Sequence, residues 1–449
     1  MKPHRNLNHT PMSISCKIVV IDDDPTGIQT VHGCYLVTQW DQEKLETALN
    51  DNINFFYILA NSRGKNRAET QQDITEIVTR LLEINNRYGY KLVFICRSDS
   101  TLRGHFPLEL DCVTTLIKDK QKVDGFFLIP AFFEAGRVTK NDTHYLKQGD
   151  QYIPVDETEF AQDSVFPFST AYLPGYIHEK SKGKISAESV ATIDFNKKGK
   201  SENNCIISNL ADGRWAVVNA ERYDDLDTFT TAVYKNLNEG KSYVFQSSAS
   251  FVKAFTRNPD KALIRNFNSK SFHDGLMIVG SHVRKTTEQL SRVLDSDVAR
   301  GYELDIDKIM GNPMTYLEQV FKDLLAVRAK GCVPIVYTPR KERKLMPCNE
   351  RIELGKQISS FLVGIVKYIP YQLSWLISKG GITSHDLLTR GLGVSLCRVH
   401  GQILPGVPVV RIESNKYPEP LPFIIFPGNV GSENSLLESF EIIQKGDST

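Results

Sequence analysis

Three consecutive carboxylates open the run Asp22-Asp23-Asp24-Pro25-Thr26-Gly27, directly after an apolar stretch. Adjacent carboxylates repel, which is costly unless a cation or ligand offsets the charge. Such a group can hold Mg2+, bind hydroxyls or act as a general base. The plainer reading is an acidic turn with one Asp capping a helix. A second cluster, Arg97-Ser98-Asp99-Ser100-Thr101-Leu102-Arg103-Gly104-His105, combines two arginines with three hydroxyls and a glycine. It suits an anionic, polyhydroxylated ligand, because an Arg fork grips carboxylate or phosphate with two parallel hydrogen bonds. The alternative is a hydroxyl-rich helix start with a structural ion pair. Arg137, in Glu134-Ala135-Gly136-Arg137, adds another guanidinium.

Two further clusters are rich in glycine. Ser378-Lys379-Gly380-Gly381-Ile382-Thr383-Ser384-His385-Asp386 pairs adjacent glycines with a helix start. Phe426-Pro427-Gly428-Asn429-Val430-Gly431-Ser432 repeats the theme, and Gly280-Ser281 is a shorter version. Glycine lets backbone approach phosphate closely, and a helix N-terminus attracts the anion. Each also reads as a plain turn when taken alone.

The elements that position these clusters are short apolar runs stopped by breakers, the mark of buried strands. Cys16–Ile21, Phe55–Ala60, Leu92–Cys96 and Phe126–Ile129 are such runs. Glu43–Leu49 and Thr70–Ile84 carry helical spacing between them. Lys180–Asn204 reads as a long surface loop or irregular excursion and Tyr152–Phe160 as an irregular loop, with strands again at Trp215–Val218 and Tyr243–Gln246. A second series follows: strands Leu276–Val279, Val333–Tyr337 and Phe423–Phe426, and helices Thr286–Leu294 and Leu354–Tyr368. Alternation of this kind predicts two α/β domains with largely parallel sheets. The expected limits are a polar tail over 1–15, one domain over 16–270 and another over 271–449, with the ligand site in the cleft between them. In open α/β sheets ligands bind outside the carboxyl ends of strands, where all the polar clusters fall.

Composition narrows the field. The chain has 449 residues, with 54 Lys+Arg against 53 Asp+Glu and a net charge of +1. That balance argues against a nucleic-acid partner, which would call for a basic face. No apolar run is long enough to span a membrane. The eight cysteines include no C-x-x-C pair, and scattered thiols fit a reduced, cytoplasmic protein. Gly240-Lys241-Ser242 lacks the upstream glycine of a P-loop, and Gly391-Leu392-Gly393 lacks the third glycine of a dinucleotide fingerprint. His32 and His144 read as hydrogen-bonded structural residues.

The ordered blocks resemble the four-carbon acid sugar kinase family over about Cys16 to about Leu437. Asp23-Asp24-Pro25-Thr26-Gly27 is similar to its D-D-x-T-G block, Asp99-Ser100-Thr101-Leu102-Arg103-Gly104 to its D-S-T-L-R-G block, and Gly136-Arg137 with Thr139 to its G-R-x-T block. Gly280-Ser281, Gly380-Gly381 and Gly428-Asn429-Val430-Gly431 resemble its nucleotide-site blocks. The resemblance implies an N-terminal sugar-acid domain and a C-terminal ATP domain. Asp23 and Asp24 then take the catalytic role. Arg97, Ser98, Asp99, Ser100, Arg103, Gly104 and Arg137 take the sugar acid. Ser281, Gly380, Gly381, Ile382, Thr383, Gly428, Asn429, Val430 and Gly431 take ATP, with Mg2+ on ligands left open. Ile382 and the Gly280-Ser281-His282-Val283 run depart from the family's acidic residue and its G-S-C-S, and Asp386 is the candidate stand-in for the missing acid.

The expectation is therefore an ATP-dependent kinase acting on a sugar acid of the erythronate, threonate or 3-oxo-tetronate type. Arg97 or Arg103 would hold its carboxylate, Asp24 or Asp23 would accept the hydroxyl proton, and the domains would close over the substrate. A homodimer is the base-rate guess. Two rivals stay open. Asp22-x-Asp24-x-Thr26 also looks like the haloacid-dehalogenase phosphatase signature, with Asp22 as nucleophile, Ser62 as its second motif and Asp224-Asp225 as a poorly placed acidic pair. A non-catalytic sensor is favoured by Ile382.

Overall fold

The computed structural model describes residues 16–265, 267, 271–340, 348–414, 416–417 and 419–446. The expected tail over 1–15, and 269–270 of the expected domain boundary, lie outside them. In chain order the strands are β1 (Cys16–Asp22), β2 (Tyr35–Val37), β3 (Phe55–Leu59), β4 (Lys91–Arg97), β5 (Gly125–Ile129), β6 (Arg137–Lys140), β7 (Thr143–Gln148), β8 (Gln151–Pro154) and β9 (Ala191–Ile193). They continue with β10 (Arg214–Val218), β11 (Tyr243–Ser247), β12 (Gly275–Val279), β13 (Ala299–Glu303), β14 (Val333–Tyr337), β15 (Trp375–Lys379), β16 (Leu396–Leu404), β17 (Val407–Ile412) and β18 (Leu421–Phe426).

Both α/β halves form, and their strands join one mostly parallel sheet of order β13-β14-β12-β15-β18-β17-β16-β2-β3-β1-β4-β11-β5-β10-β9. The β16–β17 hairpin makes the junction, pairing antiparallel with β18 on one side and β2 on the other. Three antiparallel steps leave the two parallel sets running in opposite senses. Twist corrects this. Six steps separate β1 from β15, and at about 20–25° a step they turn one set by roughly 120–150° relative to the other. Register shifts within β16 and β17 bend the junction further. The two sets of carboxyl ends can therefore face one opening.

β1 shows why the apolar runs are continuous rather than alternating. Ile18 and Val20 enter one hydrophobic cluster, while Val19 and Ile21 enter another on the opposite face. A parallel strand covered on both faces has no polar side. Asp22, its last residue, is fully buried.

Two expectations are corrected. Lys180–Asn204 is the irregular excursion rather than the plain surface loop: it contains β9 and the start of the helix Lys200–Ser208. Its buried Asn203 amide bonds the carbonyls of Asp194, Lys198 and Gly199, replacing the apolar anchors that sequence patterns look for. Tyr152–Phe160 holds most of β8, the edge of a separate three-stranded sheet β6-β7-β8, and brings Phe160 to the cleft.

Candidate active site

The acidic cluster is built at the ends of three adjacent strands, β3, β1 and β4. Asp24 caps the short 3-10 helix Pro25–Ile28, its Oδ1 accepting from the Thr26 backbone N–H at 2.7 Å. Asp22 lies beneath it. A Cβ added to Gly27 would stand 1.8 Å from Asp22 Oδ2, so glycine there makes room for the buried carboxyl. Arg97 Nη1 donates to Asp22 Oδ1 and Asp23 Oδ1, both at 3.2 Å. After β4 the chain turns through Leu102, whose φ of 68° is rare for a leucine. The Tyr176 hydroxyl donates to the Leu102 carbonyl at 2.7 Å and holds this turn. Asp99 accepts from Arg103 Nε at 2.7 Å and from Thr101. The Asp99 backbone N–H in turn donates to Asp23 Oδ2 at 3.1 Å.

Arg63, which sequence reasoning passed over, sits at the centre. Its Nη2 pairs with Asp24, its Nη1 with Asp99 at 3.2 Å, and its Nε lies 3.7 Å from Asp23 Oδ2. The only sequence signal was its place directly after a strand, beside the Ser62 noted for another reason.

Charge in the cluster is nearly self-cancelling. Burial pushes the Asp22 carboxyl up to about 8, so it stays protonated at neutral pH. Burial also raises Asp23, against the pull of Arg63 and Arg97. Burial opposes ionisation of Asp24 and Asp99 too, but there cations win. Arg63 and the Thr26 bonds hold Asp24 below the usual range, and Arg103 with Arg63 holds Asp99 well below it. Asp23, Asp24 and Asp99 thus face Arg63, Arg97 and Arg103. Arg137 adds positive charge without an acidic partner among the described residues. It is 4% exposed, its Nη1 bonds the Ala135 carbonyl, and its buried Nε has no hydrogen-bond partner.

The glycine-rich loops follow β12, β15 and β18, also adjacent strands. They touch through their glycines. A Cβ on Gly280 would stand 2.1 Å from Thr383 Oγ1, one on Gly428 2.7 Å from Ser281 Oγ, and one on Gly380 3.0 Å from Ser281 Cβ. Gly380 also has a φ of 118°, which side chains disfavour. Thr286 Oγ1 bridges two loops, donating to the Gly428 carbonyl at 3.0 Å or to Ser281 Oγ at 3.1 Å. Buried Lys379 donates to the Pro427 carbonyl at 2.5 Å.

The two halves meet where Asp24 lies against Gly381: a Cβ there would stand 2.1 Å from Asp24 Oδ2. They share a cleft of about 480 Å³, within the range of small-ligand pockets. Asp23, Asp24, Arg97, Asp99, Ser100, Arg103 and Arg137 line it from one side. Ser281, Gly380, Gly381, Ile382, Thr383, Gly428 and Asn429 line it from the other. Ser98 and Gly104 instead line a small neighbouring pocket, and Val430 and Gly431 an adjoining cavity beside β6-β7-β8.

Several assignments change on this geometry. Arg97 and Arg103 are committed to aspartates, whereas Arg137 makes no ion pair among the described residues. Asp386 bonds Ser359 and lies 3.7 Å from Arg390, away from the cleft, so it does not replace an acid at Ile382. Asp22 is too buried to attack a substrate. Asp225 caps the helix Tyr223–Asn238, accepting from the backbone N–H of Glu221 and Arg222. Those two facts remove the phosphatase constellation. His144 joins the Thr139 hydroxyl to the Ser100 carbonyl, at 2.9 and 2.8 Å, and so ties two of the blocks together. Among the described residues no three His, Cys, Asp or Glu side chains gather as a metal cage.

Two family models match the chain: a sugar-binding N-terminal domain over 18–255 and a nucleotide-binding C-terminal domain over 276–436. No curated protein matches it. A Haemophilus influenzae protein of the family-model DUF1537, HI1011, is 19% identical with a TM-score of 0.61, covering 96% of this chain and 100% of its own. A Salmonella typhimurium LT2 protein provisionally named a tRNA synthase is 16% identical with a TM-score of 0.69, covering 94% of this chain and 98% of its own. At such identities these neighbours speak for the fold alone. The acidic cluster thus lies in a sugar-binding domain and the glycine loops in a nucleotide-binding one, and the chain belongs to the four-carbon acid sugar kinase family.

Proposed function

We propose that this protein is an ATP-dependent kinase that phosphorylates a hydroxyl of a four-carbon sugar acid. The observation that carries the reading is the contact of Asp24 with Gly381, which puts an acceptor-side carboxylate at the mouth of the nucleotide loops. Arg137 supports it, as a guanidinium of the cleft that makes no ion pair among the described residues and so is open to the acid's carboxylate.

Of the three consecutive aspartates, Asp24 has the most exposed side chain, at 13% against 1% for Asp23 and 0% for Asp22. It is the one able to meet an acceptor hydroxyl. The hydroxyl oxygen forms its bond to the γ-phosphorus, the bond from that phosphorus to the β,γ-bridging oxygen breaks, and ADP leaves. Asp24 takes the proton. A carboxylate held below the usual range is a weak base, which suits a loose transition state in which the proton moves late. Backbone at Gly380, Gly381 and Gly428 can approach phosphate oxygens closely. Most of the acceleration then comes from positioning. Mg2+ that keeps its waters and rides on the phosphates needs at most one or two protein carboxylates, so the residues present fit a nucleotide-borne ion rather than a caged one. When bound, it neutralises phosphate charge.

A second reading, a non-catalytic sensor, is favoured by Ile382, which stands 64% exposed in the cleft. One assay separates the two: ADP release from ATP and Mg2+ across a panel of four-carbon acids, with Asp24→Ala as control. The kinase reading expects turnover with one acceptor and a loss of about 10²–10⁴-fold in the variant with ATP affinity kept. Binding of ATP and an acid with no ADP formed by the wild type would favour the sensor. Hydrolysis of phosphate esters without nucleotide would overturn both.

A further inference from the structure

Among the described residues Arg63 is the one side chain that pairs with Asp23, Asp24 and Asp99 together. It leaves the turn after β3, and its three nitrogens go to carboxylates carried by two other strand ends: Asp23 and Asp24 after β1, and Asp99 after β4. Arg97 does not duplicate this. It is 3% exposed and, among the described residues, pairs with Asp22 and Asp23 only. Among the described residues Arg63 makes the sole ion pair to Asp24.

We infer that Arg63 is the positioning residue of this site: it aims the Asp24 carboxylate at the Gly381 loop and locks the ends of β1 and β4 in register. The inference rests on the reading of Asp24 as the proton acceptor. Burial disfavours a charge at Asp24, and the groups facing it from each side leave Arg63 as the main compensation. Asp23, its neighbour in the chain, repels it. Arg97, from β4, attracts it less strongly than Arg63 does. His385, from the short helix Gly381–Asp386, is held neutral at physiological pH, with its proton affinity pushed down to about 4 chiefly by burial. A lysine could not replace the fork. An ammonium is a point charge and cannot address three carboxylates in one plane.

The test uses Arg63→Gln and Arg63→Lys in the full chain, with two independent readouts. The first is the titration of Asp24 followed by carbon NMR in the resting protein, which does not depend on turnover. Its midpoint should rise in Arg63→Gln. The second is the pH profile of kcat, whose acidic limb should move up while kcat falls about a hundredfold, as expected for a misplaced reacting group. The KM for ATP should change little, because the ion pairs of Arg63 all go to Asp23, Asp24 and Asp99 and none to the nucleotide loops. If Arg63→Gln fails to fold, Arg63→Lys keeps the charge and should still lose rate. Added guanidinium should restore part of the rate to Arg63→Ala, an effect a purely structural role would not give. An Asp24 midpoint that stays put in the variants, or a kcat loss with an unmoved acidic limb, would sink the inference. Absence of turnover in the wild type would instead sink the kinase reading and leave the NMR arm to decide on Arg63.

Discussion

Asp24 and Gly381 lie in direct contact across the cleft: a Cβ at position 381 would stand 2.1 Å from Asp24 Oδ2 and 2.8 Å from its Cγ. Asp24 follows the end of β1 in the sugar-binding half, and Gly381 starts a helix of the nucleotide-binding half. The glycine is required by the neighbour, not by its own backbone angles.

Gly381→Ala should therefore push Asp24 aside and cut turnover by about a hundredfold. The fold should survive, because the contact lies at the cleft and not in the core. Gly355→Ala, with open space around its added methyl, is the matched control and should leave the rate unchanged. Rates together with melting temperatures check this. Full activity in Gly381→Ala would mean that Asp24 does not work from its present position.

Arg137 should bind the acid and ignore the nucleotide. Loss of a charged hydrogen bond is worth about 1.5–3 kcal/mol. Arg137→Gln should raise the KM for the sugar acid by roughly 10–100-fold on that figure, with the KM for ATP unchanged. Arg137→Lys should not rescue it, since the fork is lost. Equal acid KM values in wild type and Arg137→Gln would remove Arg137 from the acceptor site.

Glu109 gives a pH dependence with a definite sign. It is buried under Ser62, whose hydroxyl donates to it, and burial with the nearby Asp23 charge pushes its carboxyl up to about 7. The ordinary value is 4.5. Between the two, the folded chain keeps a proton that the unfolded chain releases, so stability falls as pH rises through this window and the loss is complete above it. Glu109→Gln stays neutral throughout. Its stability relative to wild type should rise between pH 5 and pH 8, by up to about 3 kcal/mol. Asp22 has the same sign but is common to both proteins. Urea unfolding at the two pH values measures the gap, and a gap that does not widen contradicts the assignment.

Lys379 should act on the nucleotide loops alone. Its amine reaches the Pro427 carbonyl at 2.5 Å and lies 3.5 Å from that of Gly428, fully buried and over the Phe426 ring. Lys379→Met keeps the packing and leaves a buried carbonyl without its donor, a cost of about 1–3 kcal/mol. The KM for ATP should rise several-fold and that for the acid should stay. ATP titration by calorimetry reads the same difference, and unchanged ATP affinity would free Lys379 of this role.

Much of the molecule was legible in the sequence. The runs Cys16–Ile21, Leu92–Cys96 and Phe423–Phe426 announced buried parallel strands because both their faces are covered, which removes the polar half of the pattern. The acidic and glycine clusters announced the site because polar residues collect where such strands end. Partnership was not legible. Arg63 is one arginine after a strand, and nothing in its neighbours says that three aspartates from two other strand ends converge on it. The fate of Arg97 and Arg103, the burial of Asp22 and the capping role of Asp225 depend on the same long-range pairings. So does the single sheet: β2 is three residues long and has no pattern of its own, yet its pairing with β16 joins the two halves. Local sequence carries propensity and chemical type. Which charge meets which, and which carboxylate stays charged, is set by distances between residues far apart in the chain, and only the tertiary structure decides those.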